Sequence, residues 1–211
     1  KTLISPSSAL ADASDALTYR VTLSHRANSS ADAFNVEVTD TLPAVVAWAS
    51  TLGSSTCPGI VTDASAPHVV KFTVSAFALG TSSCTIDYIA NVDLGAVVGA
   101  TYANSAALQY DSQPVYLAGE TRQYTPGPAK SEFTIFEPLL VKAAVSTSLA
   151  ETGSSFHRTG NFDLAIGELV DYDITVVVPE ADTPDSVITD LLPASAADGF
   201  LEVVGASVLS I

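Results

Sequence analysis

Residues 17–24, LTYRVTLS, alternate between apolar and polar side chains. The apolar positions are Leu17, Tyr19, Val21 and Leu23. Such period-two alternation is typical of a strand with one buried face and one solvated face. Further stretches read as strands: FNVEVTD, VVKFTVSAF, CTIDYIANVD and TYANSAALQY. About seven short strands joined by turns predict an all-β protein folded as a two-sheet antiparallel β-sandwich.

One motif occurs twice at a long interval. VEVTDTLP spans residues 36–43, and VITDLLP spans residues 187–193. An interval of about 150 residues exceeds the 20 to 50 residues of solenoid repeats, so each copy is expected to belong to its own domain. The strand before the second copy, LVDYDITVVV, also alternates, so that Tyr172 matches Tyr19 and Asp190 matches Asp40.

These repeats predict one complete sandwich at residues 1–124 and a partial second module at residues 139–211. Between them, residues 125–138 carry Pro126, Pro128 and Pro138, which disfavour helix and suit an extended linker. The second copy is shorter than the first and cannot close a sandwich of that size alone. We expect its missing strands to come from further residues or from another chain.

Charge limits the partners of this chain. The 211 residues carry a net charge of −15, with 23 acidic and 8 basic residues. Nucleic acid is not expected as a partner, because phosphate binding needs a concentrated basic face. We interpret the acidic residues as favouring solubility. The alternative is that some of them bind a surface calcium ion, but no calcium-loop motif supports this. No cofactor is predicted. The sequence contains no run of about 20 apolar residues, the length needed to span a membrane. The initial Lys1 indicates that the chain is part of a longer precursor.

The two cysteines are expected to pair. Cys57 and Cys84 flank a strand-like run in a chain that otherwise avoids cysteine. A disulfide in an oxidising compartment is therefore favoured over catalysis or metal binding. Closing this loop would stabilise the fold by roughly 3 to 4 kcal/mol. The pairing predicts an extracellular location.

Nothing in the sequence predicts an enzyme. His25, His68 and His157 are far apart, and no Ser/His/Asp arrangement with a nucleophile elbow is present. The aromatic residues are interpreted as sandwich core and rim, although an aromatic row on a sheet face could bind glycans. They include Trp48, Phe72, Tyr88, Tyr102 and Tyr110.

The stretch ALTYRVTLSHRANSSADAFNVEVTDTLP, followed by GATYANSAALQY, resembles a family of bacterial extracellular immunoglobulin-like repeats that carry a TDxLP motif. Residues 139–195 resemble the isopeptide-forming fimbrial and adhesin domains of large bacterial surface proteins. The family pattern has Gly after Leu-Pro, whereas Pro43 is followed by Ala44. The resemblance implies an immunoglobulin-like sandwich that serves as a spacer or adhesive module.

The fimbrial resemblance also implies a chemistry. In such domains a Lys on the first strand is joined to an Asn on the last strand, and an adjacent Asp assists. The matching positions are Lys1, Asp40 and Asn104 in the first copy, and Lys142 and Asp190 in the second. The alternative for Asp40 is a local role, in which its carboxylate accepts backbone N–H groups in the turn before Pro43.

The sequence thus predicts a structural or adhesive repeat of a bacterial surface or secreted protein, such as a stalk, fibre or adhesin spacer. Its expected partners are further repeats of the same polypeptide or neighbouring subunits. Two alternatives remain: a module that binds carbohydrate or a host protein, and a filament subunit completed by a strand from its neighbour.

Overall fold

A computed structural model describes residues 1–149, 164–180, 187–192, 203 and 205–206. Within these ranges the chain forms strands and no helix, so none of the described residues belongs to a helix that could cross a membrane. The strands are β1 (Thr2–Ser5), β2 (Leu10–Ala11), β3 (Ala16–Ser24), β4 (Ala33–Thr41), β5 (Val46–Thr51), β6 (Val61–Ala66), β7 (Val69–Phe77), β8 (Ser83–Val92), β9 (Thr101–Asp111), β10 (Gln123–Tyr124), β11 (Ala129–Ile135), β12 (Leu139–Thr147) and β13 (Val170–Val177).

The first eleven strands form a sandwich of two sheets. The four-stranded sheet has the order β1-β3-β8-β5. The seven-stranded sheet has the order β2-β11-β9-β4-β7-β6, with β10 also paired to β9. All of these pairs are antiparallel except β11 with β2, which is parallel. The predicted all-β immunoglobulin-like sandwich is confirmed.

The core of the sandwich lies between the inward faces of the two sheets. The alternation predicted for β3 is present, since its apolar residues are buried and most of the intervening polar residues are not. Tyr88 of β8 contacts Phe72 of β7 across the interface, with ring centroids 5.4 Å apart. Both side chains are fully buried. Aromatic contacts of this kind bury large apolar areas and hold the sheets together.

The predicted linker contains a strand of the first sandwich. Residues 125–138 are extended, but β11 within them pairs with β9 over six residue pairs. Phe133 and Ile135 point inward and are buried in the core. The prolines lie outside β11 and leave its backbone N–H groups free to pair, and the alternation through Phe133 and Ile135 supplies the buried face. The strand therefore extends the first sandwich past residue 124.

Cys57 and Cys84 are joined in a disulfide, with their Cα atoms 4.8 Å apart. Cys84 lies on β8, and Cys57 lies in the connection between β5 and β6. Both residues are buried. The predicted pairing is confirmed, and it fastens this long connection to the four-stranded sheet.

Residues of the second repeat form a two-stranded antiparallel sheet, β12 with β13. Leu139, Leu140 and Val177 are each more than half exposed. Within the described part of the chain, this hairpin has no third strand. A two-stranded ribbon with exposed apolar side chains is marginally stable by itself. The division into a complete and a partial module stays a prediction.

Candidate functional site

Four polar side chains meet in the interior of the sandwich, and we call them the Lys1 cluster: Lys1, Asp40, Tyr88 and Asn104. Lys1 directly precedes β1, and Tyr88 lies on β8, both in the four-stranded sheet. Asp40 on β4 and Asn104 on β9 belong to the opposite sheet. The cluster therefore connects the two layers.

The register of the strands explains why these residues meet. Asp40 pairs with Ala106 across the β4–β9 ladder. Asn104 is two residues from Ala106 on β9, so it lies on the same inward face of the seven-stranded sheet. In the other sheet, Tyr88 pairs with Tyr19. Lys1 lies beside the two tyrosines because it directly precedes β1, and β1 pairs with β3 so that Leu3 lies opposite Tyr19.

A chain of hydrogen bonds links the cluster. The Lys1 ammonium donates from Nζ to Oδ2 of Asp40 at 2.5 Å. The Tyr88 hydroxyl donates to the same oxygen at 2.8 Å. Asn104 donates from Nδ2 to the Tyr88 hydroxyl oxygen at 2.9 Å. Both hydrogen bonds to Oδ2 of Asp40 thus come from side chains on the opposite side of the sandwich, and neither comes from a backbone N–H group of the turn before Pro43.

Burial makes the cluster electrostatically unusual. The side chains of Lys1 and Asp40 are both 0% exposed. Two acceptor atoms, Oδ1 of Asp40 and Oδ1 of Asn104, are buried without a hydrogen-bond partner among the described residues. A buried ion pair loses much of its Coulomb energy to desolvation, and an unpaired buried acceptor costs about 1 to 3 kcal/mol. The site is therefore poorly optimised for stability as a set of non-covalent contacts.

The pKa values of the pair move toward each other. Burial lowers the pKa of Lys1 from 10.5 to about 8, and the Asp40 charge and hydrogen bond only partly oppose this. Burial also raises the pKa of Asp40, against the opposing influence of Lys1, Tyr88 and Asn104. Burial and the nearby Asp40 charge raise the pKa of Tyr88. Transfer of a proton from Lys1 to Asp40 is consequently much easier here than in water.

Two tyrosine rings enclose the lysine. Nζ of Lys1 lies 5.1 Å from the ring centroid of Tyr19 and 5.8 Å from that of Tyr88. The two rings stack with centroids 5.4 Å apart. Their faces attract the ammonium by cation–π interaction and keep water from it. The Tyr19 hydroxyl is buried and has no hydrogen-bond partner among the described residues.

The second repeat reproduces the lysine and aspartate. Nζ of Lys142 donates to Oδ1 and Oδ2 of Asp190 at 2.7 and 2.9 Å. It also lies 4.3 Å from the ring centroid of Tyr172. This pair is about one third exposed, at 31% and 34%. Among the described residues after 138, none is an asparagine.

The fimbrial resemblance grouped Lys1, Asp40 and Asn104, and the structure brings them to one site; their cross-linking role stays a prediction. Asn104 is not on the last strand of the sandwich, because β11 follows β9 and pairs with it. Tyr88 was interpreted, with the other aromatic residues, as part of the sandwich core and rim. A tyrosine at an inward strand position needs a polar partner for its hydroxyl, and that requirement is the signal that could have revealed it.

The other candidate groups do not assemble. His25 stacks on Phe77, and His68 contacts the carbonyl oxygen of Val46 at 2.9 Å. His157 lies outside the described residues. Within the ranges that the structure describes, no group of three or more His, Cys, Asp or Glu residues could hold a metal ion.

Comparisons with known proteins give structural likeness only. No protein-family model matches the chain, and no curated protein matches it. A 35 kDa C-terminal fragment of the major pilin GBS80 of Streptococcus agalactiae is similar, at 14% identity and a TM-score of 0.45, over 62% of this chain and 52% of that chain. The T6 backbone pilin of Streptococcus pyogenes serotype M6 is similar at 15% identity and a TM-score of 0.38, over 67% and 35% of the respective chains.

BcpA, the major pilin subunit of Bacillus cereus, is similar at 12% identity and a TM-score of 0.41, over 64% of this chain and 38% of that chain. The chain thus spans about half or less of each of these pilins. Identities this low transfer no residue role to this chain.

Proposed function

We propose that this chain is a structural module of a bacterial surface fibre or stalk, and that its first sandwich is locked by an amide bond between Lys1 and Asn104. The observation that carries the proposal is the buried Lys1–Asp40 pair, held between the sheets beside the Asn104 side chain. The disulfide between Cys57 and Cys84 fits an oxidising, extracellular location. The proposal assigns no turnover to the protein, because each chain would react once with itself.

Two obstacles normally prevent a lysine from attacking a carboxamide: the amine is protonated, and the amide carbon is a poor electrophile. Burial lowers the pKa of Lys1 to about 8 and raises that of Asp40. A proton can therefore pass from Nζ to Asp40, which leaves a neutral amine and a carboxylic acid. Oδ1 of Asn104 has no hydrogen-bond partner among the described residues, and the proton held by Asp40 is available to the reacting carboxamide.

The bond changes are simple. Nζ of Lys1 attacks Cγ of Asn104, the bond from Cγ to Nδ2 breaks, and ammonia leaves. The product is a secondary amide that no longer titrates. A cavity of about 120 Å³ lies beside Lys1 and is lined mainly by small and aliphatic residues.

The location of the bond suits a load-bearing module. It would join the residue before β1 in one sheet to β9 in the other sheet. Force applied to the first strand would then meet a covalent connection across the sandwich, whereas without it β1 is held to β3 by a short ladder with a register irregularity. Such a lock has an evident use in a fibre under tension.

The link can be tested by digesting the reduced and alkylated protein with trypsin. Residues 2–70 contain lysine or arginine only at Arg20 and Arg26, and residues 72–121 contain neither. The proposal predicts one joined product that contains residues 1–20 and 72–122 and has lost one ammonia. Asp40→Asn should yield residues 72–122 as a separate peptide. Asp190→Asn, which changes the partly exposed second pair, should still yield the joined product.

Neighbouring repeats or subunits are the partners that we propose for the second repeat. Its hairpin exposes Leu139, Leu140, Leu169 and Val177. Apolar side chains of this kind, and strand edges that pair with no other described strand, favour completion by further strands, either of the same polypeptide or of another copy.

A further inference from the structure

We propose that Tyr88 is the proton relay in the formation of the Lys1–Asn104 bond, carrying a proton from Asp40 to the nitrogen that leaves as ammonia. This inference rests on the proposed cross-link. It assigns a chemical role to a residue that the Lys, Asp and Asn positions alone do not include.

The position of the Tyr88 hydroxyl supports a role in proton transfer. Its oxygen accepts a hydrogen bond from Nδ2 of Asn104 at 2.9 Å and donates one to Oδ2 of Asp40 at 2.8 Å. The same Oδ2 accepts a hydrogen bond from the Lys1 ammonium. One hydroxyl therefore links the atom that would receive the lysine proton to the atom that must leave. Tyr88 is fully buried, so bulk water does not compete for either contact.

The chemistry requires a proton at that nitrogen. An amide anion is far too basic to leave, so Nδ2 must be protonated before its bond to Cγ breaks. In the planar amide, Nδ2 has no basic lone pair and donates to Tyr88. After Nζ attacks, Cγ becomes tetrahedral and Nδ2 becomes an ordinary amine nitrogen with a lone pair. The hydrogen bond can then reverse, and the Tyr88 hydroxyl can donate.

The steps balance without any other reactant. Lys1 first gives one proton to Oδ2 of Asp40. Its neutral Nζ then attacks Cγ, and the electron pair of the carbonyl π bond moves to Oδ1. Tyr88 gives its proton to Nδ2 and takes the proton of Asp40, so the phenol is regenerated.

The C–N bond then breaks, its electron pair leaves with ammonia, and the carbonyl re-forms. The positively charged Nζ finally loses one proton to the Asp40 carboxylate. The products are the amide, ammonia and a protonated Asp40, with the same total charge and the same number of protons as at the start.

Tyr19 provides a matched control within the same site. Its ring stacks on that of Tyr88, it is equally buried, and it also lies over the Lys1 ammonium. Its hydroxyl, however, has no hydrogen-bond partner among the described residues. Removing either hydroxyl leaves the aromatic enclosure of the lysine in place. The comparison of the two Phe variants therefore tests the contacts of the two hydroxyl groups.

The test follows the loss of ammonia with time. The full chain is made by cell-free translation, synthesis is stopped, and the intact mass is recorded at intervals for the wild type, Tyr88→Phe and Tyr19→Phe. We expect Tyr88→Phe to slow the reaction by about 100-fold or more, in the range of a lost general acid. Tyr19→Phe, which keeps the ring beside Lys1, should slow the reaction much less than Tyr88→Phe does. Equal rates for the two variants would overturn the relay.

A second series separates proton transfer from simple positioning. Fluorotyrosines of increasing acidity are incorporated at position 88, where they keep the hydroxyl and nearly the shape of tyrosine. A relay requires the rate to change systematically with the acidity of the phenol, whereas a constant rate would overturn it even if Tyr88→Phe reacts slowly or fails to fold. A wild-type chain that never loses ammonia would overturn the cross-link and the relay together. A wild type that reacts while the series stays flat would overturn the relay alone.

Discussion

Lys1 and Asp40 form a fully buried ion pair that bridges the two sheets of the sandwich, with Nζ and Oδ2 2.5 Å apart. Lys142 and Asp190 form the corresponding pair in the second repeat, with part of both side chains in solvent. The contrast matters because the worth of an ion pair depends on its surroundings. A solvated pair contributes little, whereas a buried pair is costly to break and can exchange a proton internally.

Loss of the buried carboxylate should be strongly destabilising. Asp40→Ala leaves the Lys1 amine buried without its partner, and we expect the free energy of unfolding to fall by about 3 to 5 kcal/mol, apart from any effect of a lost covalent link. Urea denaturation measures this change. Asp190→Ala is the control and should cost less than about 1 kcal/mol. A loss of only about 1 kcal/mol for Asp40→Ala would indicate a capping role instead.

The pH dependence of stability should reveal the lysine in a variant that cannot cross-link. Asn104→Leu removes the acceptor and keeps the Lys1–Asp40 pair. Because the pKa of Lys1 is about 8 in the folded chain and near 10.5 when exposed, the unfolded chain binds more protons between these values. Stability should therefore rise with pH from about 8 to 10.5, by up to about 3 kcal/mol.

The pKa of Asp40 shifts in the opposite direction from that of Lys1. Its folded pKa is raised, so its contribution to stability is complete below the unfolded value of 3.8 and is lost as the pH rises through the folded value.

Urea titrations of Asn104→Leu at several pH values test the lysine. The double variant with Lys1→Met corrects for other titrating groups and should lack the rise. An identical rise in both proteins would contradict the pKa assigned to Lys1.

The disulfide should contribute to stability independently of the cluster. Replacing Cys57 and Cys84 together by serine should lower the free energy of unfolding by roughly 3 to 4 kcal/mol, because the unfolded chain regains the freedom of a closed loop. Alkylation without reduction should detect no free thiol in the wild type. Two modified cysteines would contradict the bridge and weaken the inference of an extracellular location.

Residues 139–211 should not fold cooperatively by themselves. The described part of this segment contains one two-stranded ribbon with exposed apolar side chains, which is too little to bury a core. Expressed alone, the segment should show a broad, non-cooperative thermal response by circular dichroism, or it should self-associate. A monomer with a sharp thermal transition would show that it is a complete unit.

The sequence predicted the features that depend on residue patterns within short stretches of the chain. Alternation through Leu17 and Tyr19 identified β3, and the repeated Thr-Asp pair pointed to Asp40 and Asp190. What it missed depends on long-range pairing. β11 was interpreted as a linker because prolines surround it, and its burial results from pairing with β9. The bridging role of Tyr88 depends on how β8 faces β4 and β9, which alternation within a single strand does not specify.

The intact mass of the reduced wild-type protein tests the central claim most directly. It should be lower than the mass calculated from the sequence by one ammonia, and Asp40→Asn should have its full calculated mass. Asp190→Asn, measured beside them, should show the same deficit as the wild type. A wild-type protein with its full mass, or a deficit that persists unchanged in Asp40→Asn, would contradict a bond between Lys1 and Asn104 formed with the help of Asp40.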